Sequence, residues 1–280
     1  MSYPILDDHL HLHPDGRNVE ALRDFNKAGG TAAVLCHLPY ESVPIKSAED
    51  FSASYDITLS LADRCRAALP VQVLVCVGPY PVILLSLAQR HGLEAAVQIM
   101  REGMERAQHL VLEGKANGIG EIGRPHFPVS PEILEASNGI MRYGMELAKE
   151  AACPVVLHTE SATPETMADL ARIADAAGLD RGKVIKHYSA PLVKEEENHG
   201  LFPSVLASRT AIGIALSKGR RFMMETDFLD DARRPGAVMA ITTVPKRTKA
   251  LIQTGAMTEE DAWVIHGENA EKLYGVKLRA

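Results

Sequence analysis

Eight apolar runs separated by helical patterns constrain the fold of this chain more than any other feature. They are Ile5 to His11, Thr31 to Leu38, Val71 to Gly78, Gly118 to Gly123, Pro154 to Thr159, Val184 to His187, Phe202 to Ala207 and Phe222 to Thr226. Most are continuously apolar rather than alternating, as in parallel strands covered on both faces. Helix starts are legible between them. Ser47-Ala48-Glu49-Asp50, Ser130-Pro131-Glu132, Thr163-Pro164-Glu165 and Thr258-Glu259-Glu260-Asp261 each put a capping side chain before early carboxylates, two with proline at the first helical position. Ala211 to Leu216 competes with Phe202 to Ala207 for the seventh strand. Ser208 as a cap, apolar residues at helical spacing and Gly219 as a stop assign the later run to a helix. Eight β/α units in 280 residues predict an α/β fold, a (β/α)8 TIM barrel forming one domain over residues 1–280. No GxGxxG or P-loop follows a strand, which speaks against an open doubly wound sheet.

The second constraint is what stands at the strand ends. Asp7-Asp8-His9-Leu10-His11, Gly120-Glu121-Ile122-Gly123, Leu157-His158-Thr159-Glu160, Lys186-His187-Tyr188-Ser189 and Glu225-Thr226-Asp227 carry four histidines, a glutamate and an aspartate to the places where a barrel delivers its site. One such strand end would mean little. Five in order supply the six ligands that two adjacent cations need: His9, His11, Glu121, His158, His187 and Asp227. His9 and His11, two apart in a strand, share a face and form a pincer.

Composition narrows the classes. A formal net charge of -6 gives no general attraction for nucleic acid or an anionic membrane, although a local basic rim can still steer phosphate. Cys36, Cys65, Cys76 and Cys153 have no CxxC spacing and are expected to be buried thiols. With no membrane span and no secretory leader to be read, the chain is expected in the cytoplasm, without an obligate protein partner.

The opening Asp-x-His-x-His resembles the signature of the amidohydrolase superfamily, and Gly-Glu-Ile-Gly narrows the likeness to its TatD-related metal-dependent hydrolases. His158, His187, Glu-Thr-Asp ending at Asp227, and Glu268-Asn269-Ala270-Glu271-Lys272-Leu273-Tyr274-Gly275 fall in the family's order. The stretches Gly120 to Ser130 and Met224 to Pro235 look closer still to an uncharacterised archaeal branch. Where TatD nucleases usually continue Gly-Glu-Ile-Gly with Leu-Asp, this chain has Arg124-Pro125-His126. The resemblance implies that Glu121 bridges two metals, that His158 and His187 complete one site, and that Asp227 completes the other while accepting a proton from a water. It implies phosphodiester hydrolysis of the DNase type. The alternatives are hydrolysis of a small ester, lactone, amide or phosphate ester, and a metal-binding partner protein without turnover. The substrate is thus an oligonucleotide or a small molecule. Four imidazoles among six ligands favour zinc, with manganese, iron, nickel or magnesium as alternatives.

Further residues carry expectations of their own. Arg124, directly past the bridging glutamate, is expected to bind a substrate anion, with a salt bridge inside its loop as the rival reading. His37 and His126 are expected to reach the substrate. Strand parity gives Asp7, not Asp8, the inward face of His9 and His11, and assigns it to orienting a ligand histidine. Lys218-Gly219-Arg220-Arg221 is expected to be a solvated turn away from the site. Arg233 and Arg234 follow the eighth strand on the site's side, where they can meet phosphate.

Overall fold

The computed structural model describes residues 3–234 and 237–280, so Pro235, the end of the second archaeal-like stretch, lies outside the described residues. Among the described residues, nine parallel strands form one sheet: β1 (Leu6–His11), β2 (Ala32–Cys36), β3 (Gln72–Val77), β4 (Gly118–Gly123), β5 (Val155–His158), β6 (Val184–Ser189), β7 (Phe202–Leu206), β8 (Met223–Glu225) and β9 (Phe228–Leu229). The order runs β8-β7-β6-β5-β4-β3-β2-β1-β9. β9 starts three residues after β8 ends and pairs with β1, Leu10 opposite Phe228 and His11 opposite Leu229. The strand leaving one edge of the sheet thus meets the strand at the other, and the sheet curls into a TIM barrel. Two details depart from expectation. β6 runs on to Ser189, and beyond the eighth run, which ends as a strand at Glu225, a short ninth strand, β9, follows.

The connections are helical: α1 (Val19–Ala28), α2 (Ala48–Ala68), α3 (Ile83–His91), α4 (Leu93–Leu112), α5 (Pro131–Glu150), α6 (Pro164–Ala177), α7 (Glu195–Asn198), α8 (Arg209–Lys218), α9 (Thr243–Gln253), α10 (Glu259–Trp263) and α11 (Asn269–Tyr274). All four expected starts are capped. Ser130 accepts from the Ile133 amide and Thr163 from that of Thr166, while Ser47 with Asp50 and Thr258 with Asp261 close capping boxes. Ser208 likewise caps α8, which leaves Phe202–Leu206 as the seventh strand. No helix among the described residues is long and apolar enough to cross a membrane.

Burial inside the barrel fixes which end is open. Leu6, Val34, Leu74, Val156, Ile185, Phe202 and Met223 form an interior cluster with Ala270, Leu273, Tyr274 and Leu278 of α11 and its tail. The first residues of β1, β7 and β8 belong to this plug, so polar side chains can gather only toward the strands' C-terminal ends. The basic turn after α8 is only partly solvated, its charges being paired: Arg220 pairs with Asp261 at 2.6 Å, Lys218 with Glu197 at 2.6 Å, and Arg221 donates to the carbonyls of Leu201 and Gly200. These contacts tie α8 and the start of β8 to their neighbours.

Candidate metal centre

Strict alternation does not build the site; the strands that carry it are irregular. The register of β1 against β2 shifts between Asp7 and Leu10, that of β4 against β5 between Gly120 and Ile122, and that of β6 against β7 between Lys186 and Ser189. Such bulges re-aim side chains, and each lies at a candidate ligand. In β1 the shift lets Leu6 and Asp8 face the interior below and His9 and His11 face it above. The parity expected for Asp7 is therefore corrected. Asp8 takes the interior position and accepts from the Tyr274 hydroxyl at 3.0 Å. Asp7 accepts from the Thr226 amide and hydroxyl at 2.9 and 2.7 Å and from the His9 amide, so it braces the turn carrying Asp227 rather than an imidazole.

The Gly-Glu-Ile-Gly motif has a steric cause. A Cβ on Gly120 would stand 2.6 Å from Val156 Cβ, and one on Gly123, at φ 140°, would stand 2.1 Å from the His158 carbonyl oxygen. Only glycine lets β4 approach β5 closely enough to bring Glu121 against His158.

All six candidate ligands converge. Oε1 of Glu121 lies 3.0 Å from His158 Nδ1, 3.0 Å from His187 Nε2 and 3.6 Å from His9 Nε2, while Oε2 lies 3.8 Å from His11 Nε2. His9 and His11 bring their Nε2 atoms within 3.1 Å, and Asp227 Oδ1 is 3.4 Å from that of His11. Two trios result, His9 with His11 and Asp227, and Glu121 with His158 and His187, each with its ligand atoms within 4.8 Å of one another. Ligands 2.0–2.2 Å from a shared tetrahedral ion are about 3.3–3.6 Å apart, so this spacing suits cations. A third trio, His9 with His187 and Glu225, was not foreseen.

Neighbouring groups set the rings. A carbonyl only accepts, so His11 donates from Nδ1 to the Cys36 oxygen at 3.0 Å and keeps the Nε2 lone pair for the cluster. Glu225 Oε1 lies 3.4 Å from His187 Nδ1 and accepts from the Tyr188 amide at 2.7 Å. His158 meets Tyr80 Oη at 3.3 Å and His126 Nδ1 at 2.8 Å through Nε2, which turns Nδ1 inward. Among the described residues, His187 Nδ1 and Glu225 Oε2 are buried without a hydrogen-bond partner. Asp227 sits at φ 47°, between β8 and β9, with its amide on the His9 carbonyl at 2.9 Å. Aspartate tolerates that left-handed geometry better than most residues.

The electrostatics match the donor set. Burial opposes ionisation of Glu121, but His187, His158 and His9 outweigh it and hold the carboxyl well below its ordinary range. Burial, helped by the neighbouring His187, keeps His9 unprotonated and so a ready ligand. Burial also disfavours protonation of His187, yet Glu121 and Glu225 raise its pKa to about 10. The negative charge of Glu121 and Glu225 that favours a proton on His187 would equally favour a cation there.

The substrate-side expectations divide. His126 reaches a cavity at the cluster. His37 does not: one residue past inward-facing Cys36 it points outward, buried, with Nδ1 on Thr58 and Nε2 facing Ser54, and burial lowers its pKa to about 3. Arg124 is not an anion site either. It is buried and gives two hydrogen bonds to Glu160, at 2.9 and 2.6 Å, one to Asp169 at 2.8 Å and one to Asn138 at 2.9 Å. Arg124→Ala is therefore expected to cost about 2 kcal/mol of folding stability, discounted because Glu160 and Asp169 are 40% and 37% exposed. Urea denaturation measures this, and anionic and neutral substrates should be affected alike. A loss confined to anionic substrates would restore the anion reading.

Two cavities flank the cluster. One, about 380 Å³, is lined by Leu38, Pro39, Tyr80, Leu229, Arg234 and Val238 beside the candidate ligands. The other, about 270 Å³, is lined by His126, Thr159, Glu160, Ser161, Lys186 and Tyr188 beside His158, His187 and Asp227. Tyr80 and Lys186 escaped the sequence reading, whereas Glu225, two residues before Asp227, was open to contact with a ligand or substrate from its spacing alone. Each of the two had a signal: Tyr80 follows closely on the end of β3, and Lys186 is a lysine inside an apolar run.

The TatD related DNase family profile matches residues 6–275. The chain belongs to the TatD-related family. With it come the metal-dependent hydrolases. An uncharacterised protein of Methanocaldococcus jannaschii is 38% identical over 281 residues, covering 99% of this chain and 98% of its own, in keeping with the archaeal likeness. A TatD homologue from Escherichia coli is similar in fold (TM-score 0.65, 18% identity, 97% of this chain and 98% of that one). So is a TatD-like protein from Archaeoglobus fulgidus (TM-score 0.63, 20% identity, 97% and 100%).

Proposed function

We propose that this TatD-family protein hydrolyses phosphodiesters, with His9, His11 and Asp227 holding one divalent cation, His158 and His187 another, and Glu121 reaching both. The observation that carries this reading is Glu121, whose two oxygens face different histidines from the centre of the cluster. A carboxylate can divide its oxygens between two ions as an imidazole cannot. A bound pair of cations supplies Lewis acidity and a water of lowered pKa. Asp227, at 15% side-chain exposure, borders both the cluster and the two cavities, so it is the group that accepts that water's proton. His126 and Tyr80 hold the ring of His158, and Glu225 lies 3.4 Å from that of His187. Arg234 lines the larger cavity, where it meets phosphate.

One observation favours a second reading. Leu38, Pro39, Leu229 and Val238 make the larger cavity mainly apolar, which suits a small ester or lactone. Metal-reconstituted protein offered oligonucleotides beside aryl esters, lactones and phosphotriesters separates the two. Turnover of oligonucleotides that disappears with Asp227 is the expected result. Turnover of the neutral esters alone would transfer the assignment, and no turnover by fully loaded protein would favour a metal-binding partner protein.

A further inference from the structure

Lys186 is the buried cation for which the site described above has no use. It stands on β6 immediately before His187, is 1% exposed and borders the smaller cavity. An ammonium has three donors. Among the described residues one is used, on the His187 carbonyl at 2.6 Å, while Glu225, Glu160 and Glu121 act on it only through space. A buried charge left so incompletely paired is costly unless something else completes its shell. Arg124 has four of its five donors committed to Glu160, Asp169 and Asn138, and by pairing with Glu160 on the cavity wall it offsets one of the carboxylates that would repel an anion there. Ser161 stands exposed at the rim and adds a hydroxyl.

Resting on the hydrolase reading, we propose that the smaller cavity is an anion subsite in which Lys186 positions a phosphate group of the substrate other than the one being cleaved. The larger, apolar cavity then takes the rest of the molecule, and the bond to be cut lies between them at the cluster. The subsite favours substrates that carry a second phosphate over those with a neutral end.

Inorganic phosphate is the probe, titrated calorimetrically into metal-loaded wild type, Lys186→Met and Ser161→Glu. Removing a charge-assisted contact, or placing a like charge at the rim, is expected to weaken phosphate binding at least about tenfold at unchanged metal content. The preference for a dinucleotide with a terminal phosphate over one without should collapse toward unity in the same variants. Phosphate affinity within about threefold of wild type in both variants overturns the subsite; if Lys186→Met does not fold, Ser161→Glu alone decides. The two readings fail separately. Lys186-dependent phosphate binding without hydrolysis of any ester would leave the subsite standing and remove the hydrolase assignment. Dinucleotide hydrolysis with phosphate affinity untouched would remove the subsite alone.

Discussion

Asp227→Asn is expected to lower turnover by two or more orders of magnitude, the usual scale for losing a general base, while much of the bound metal remains. Asparagine keeps the size of the side chain and an oxygen for a cation, but it cannot accept the water's proton. The backbone that aims residue 227 should survive, because its amide bonds to the His9 carbonyl and the adjacent Thr226 to Asp7 do not involve the carboxylate. Asparagine also tolerates the left-handed φ of 47°. Elemental analysis and steady-state rates on the same preparation make the comparison. Parallel loss of metal and rate would reduce Asp227 to a ligand, and an unchanged rate would take it out of the mechanism.

Histidine variants should divide the metal content in two. About two transition-metal equivalents are expected at full loading, with His9→Ala or His11→Ala removing one and His158→Ala or His187→Ala the other. The division follows from the two trios, which share no ligand and are joined through Glu121. Stability should follow occupancy, because a cation that binds only the folded chain adds about 2.7 kcal/mol at one hundred times its dissociation constant. Chelator-treated protein should accordingly unfold at a lower temperature than reloaded protein. Wild-type metal content in all four variants would overturn the ligand assignment.

The sequence by itself determined the barrel and named the candidate ligands that meet in it. Eight apolar runs can be buried on both faces only in a covered parallel sheet, and capping boxes at Ser47 and Thr258 with proline-led starts at Ser130 and Thr163 mark where helices intervene. Histidine and carboxylate at five strand ends were legible because strand ends are fixed by local pattern. Whatever depended on a partner distant in the chain was not legible. Arg124 lost its anion role to Glu160 and Asp169, 36 and 45 residues away, since a buried guanidinium takes whatever carboxylates folding brings to it. Asp7 gave its interior place to Asp8 because a one-residue register shift in β1, set by how it pairs with β2, undoes a period-two reading, whereas His37 points outward by the ordinary alternation of β2 past inward-facing Cys36. Tertiary structure alone decided that Lys186 is buried beside a cavity, because desolvation and unfilled hydrogen-bond capacity are properties of the packed interior and not of any local stretch of chain.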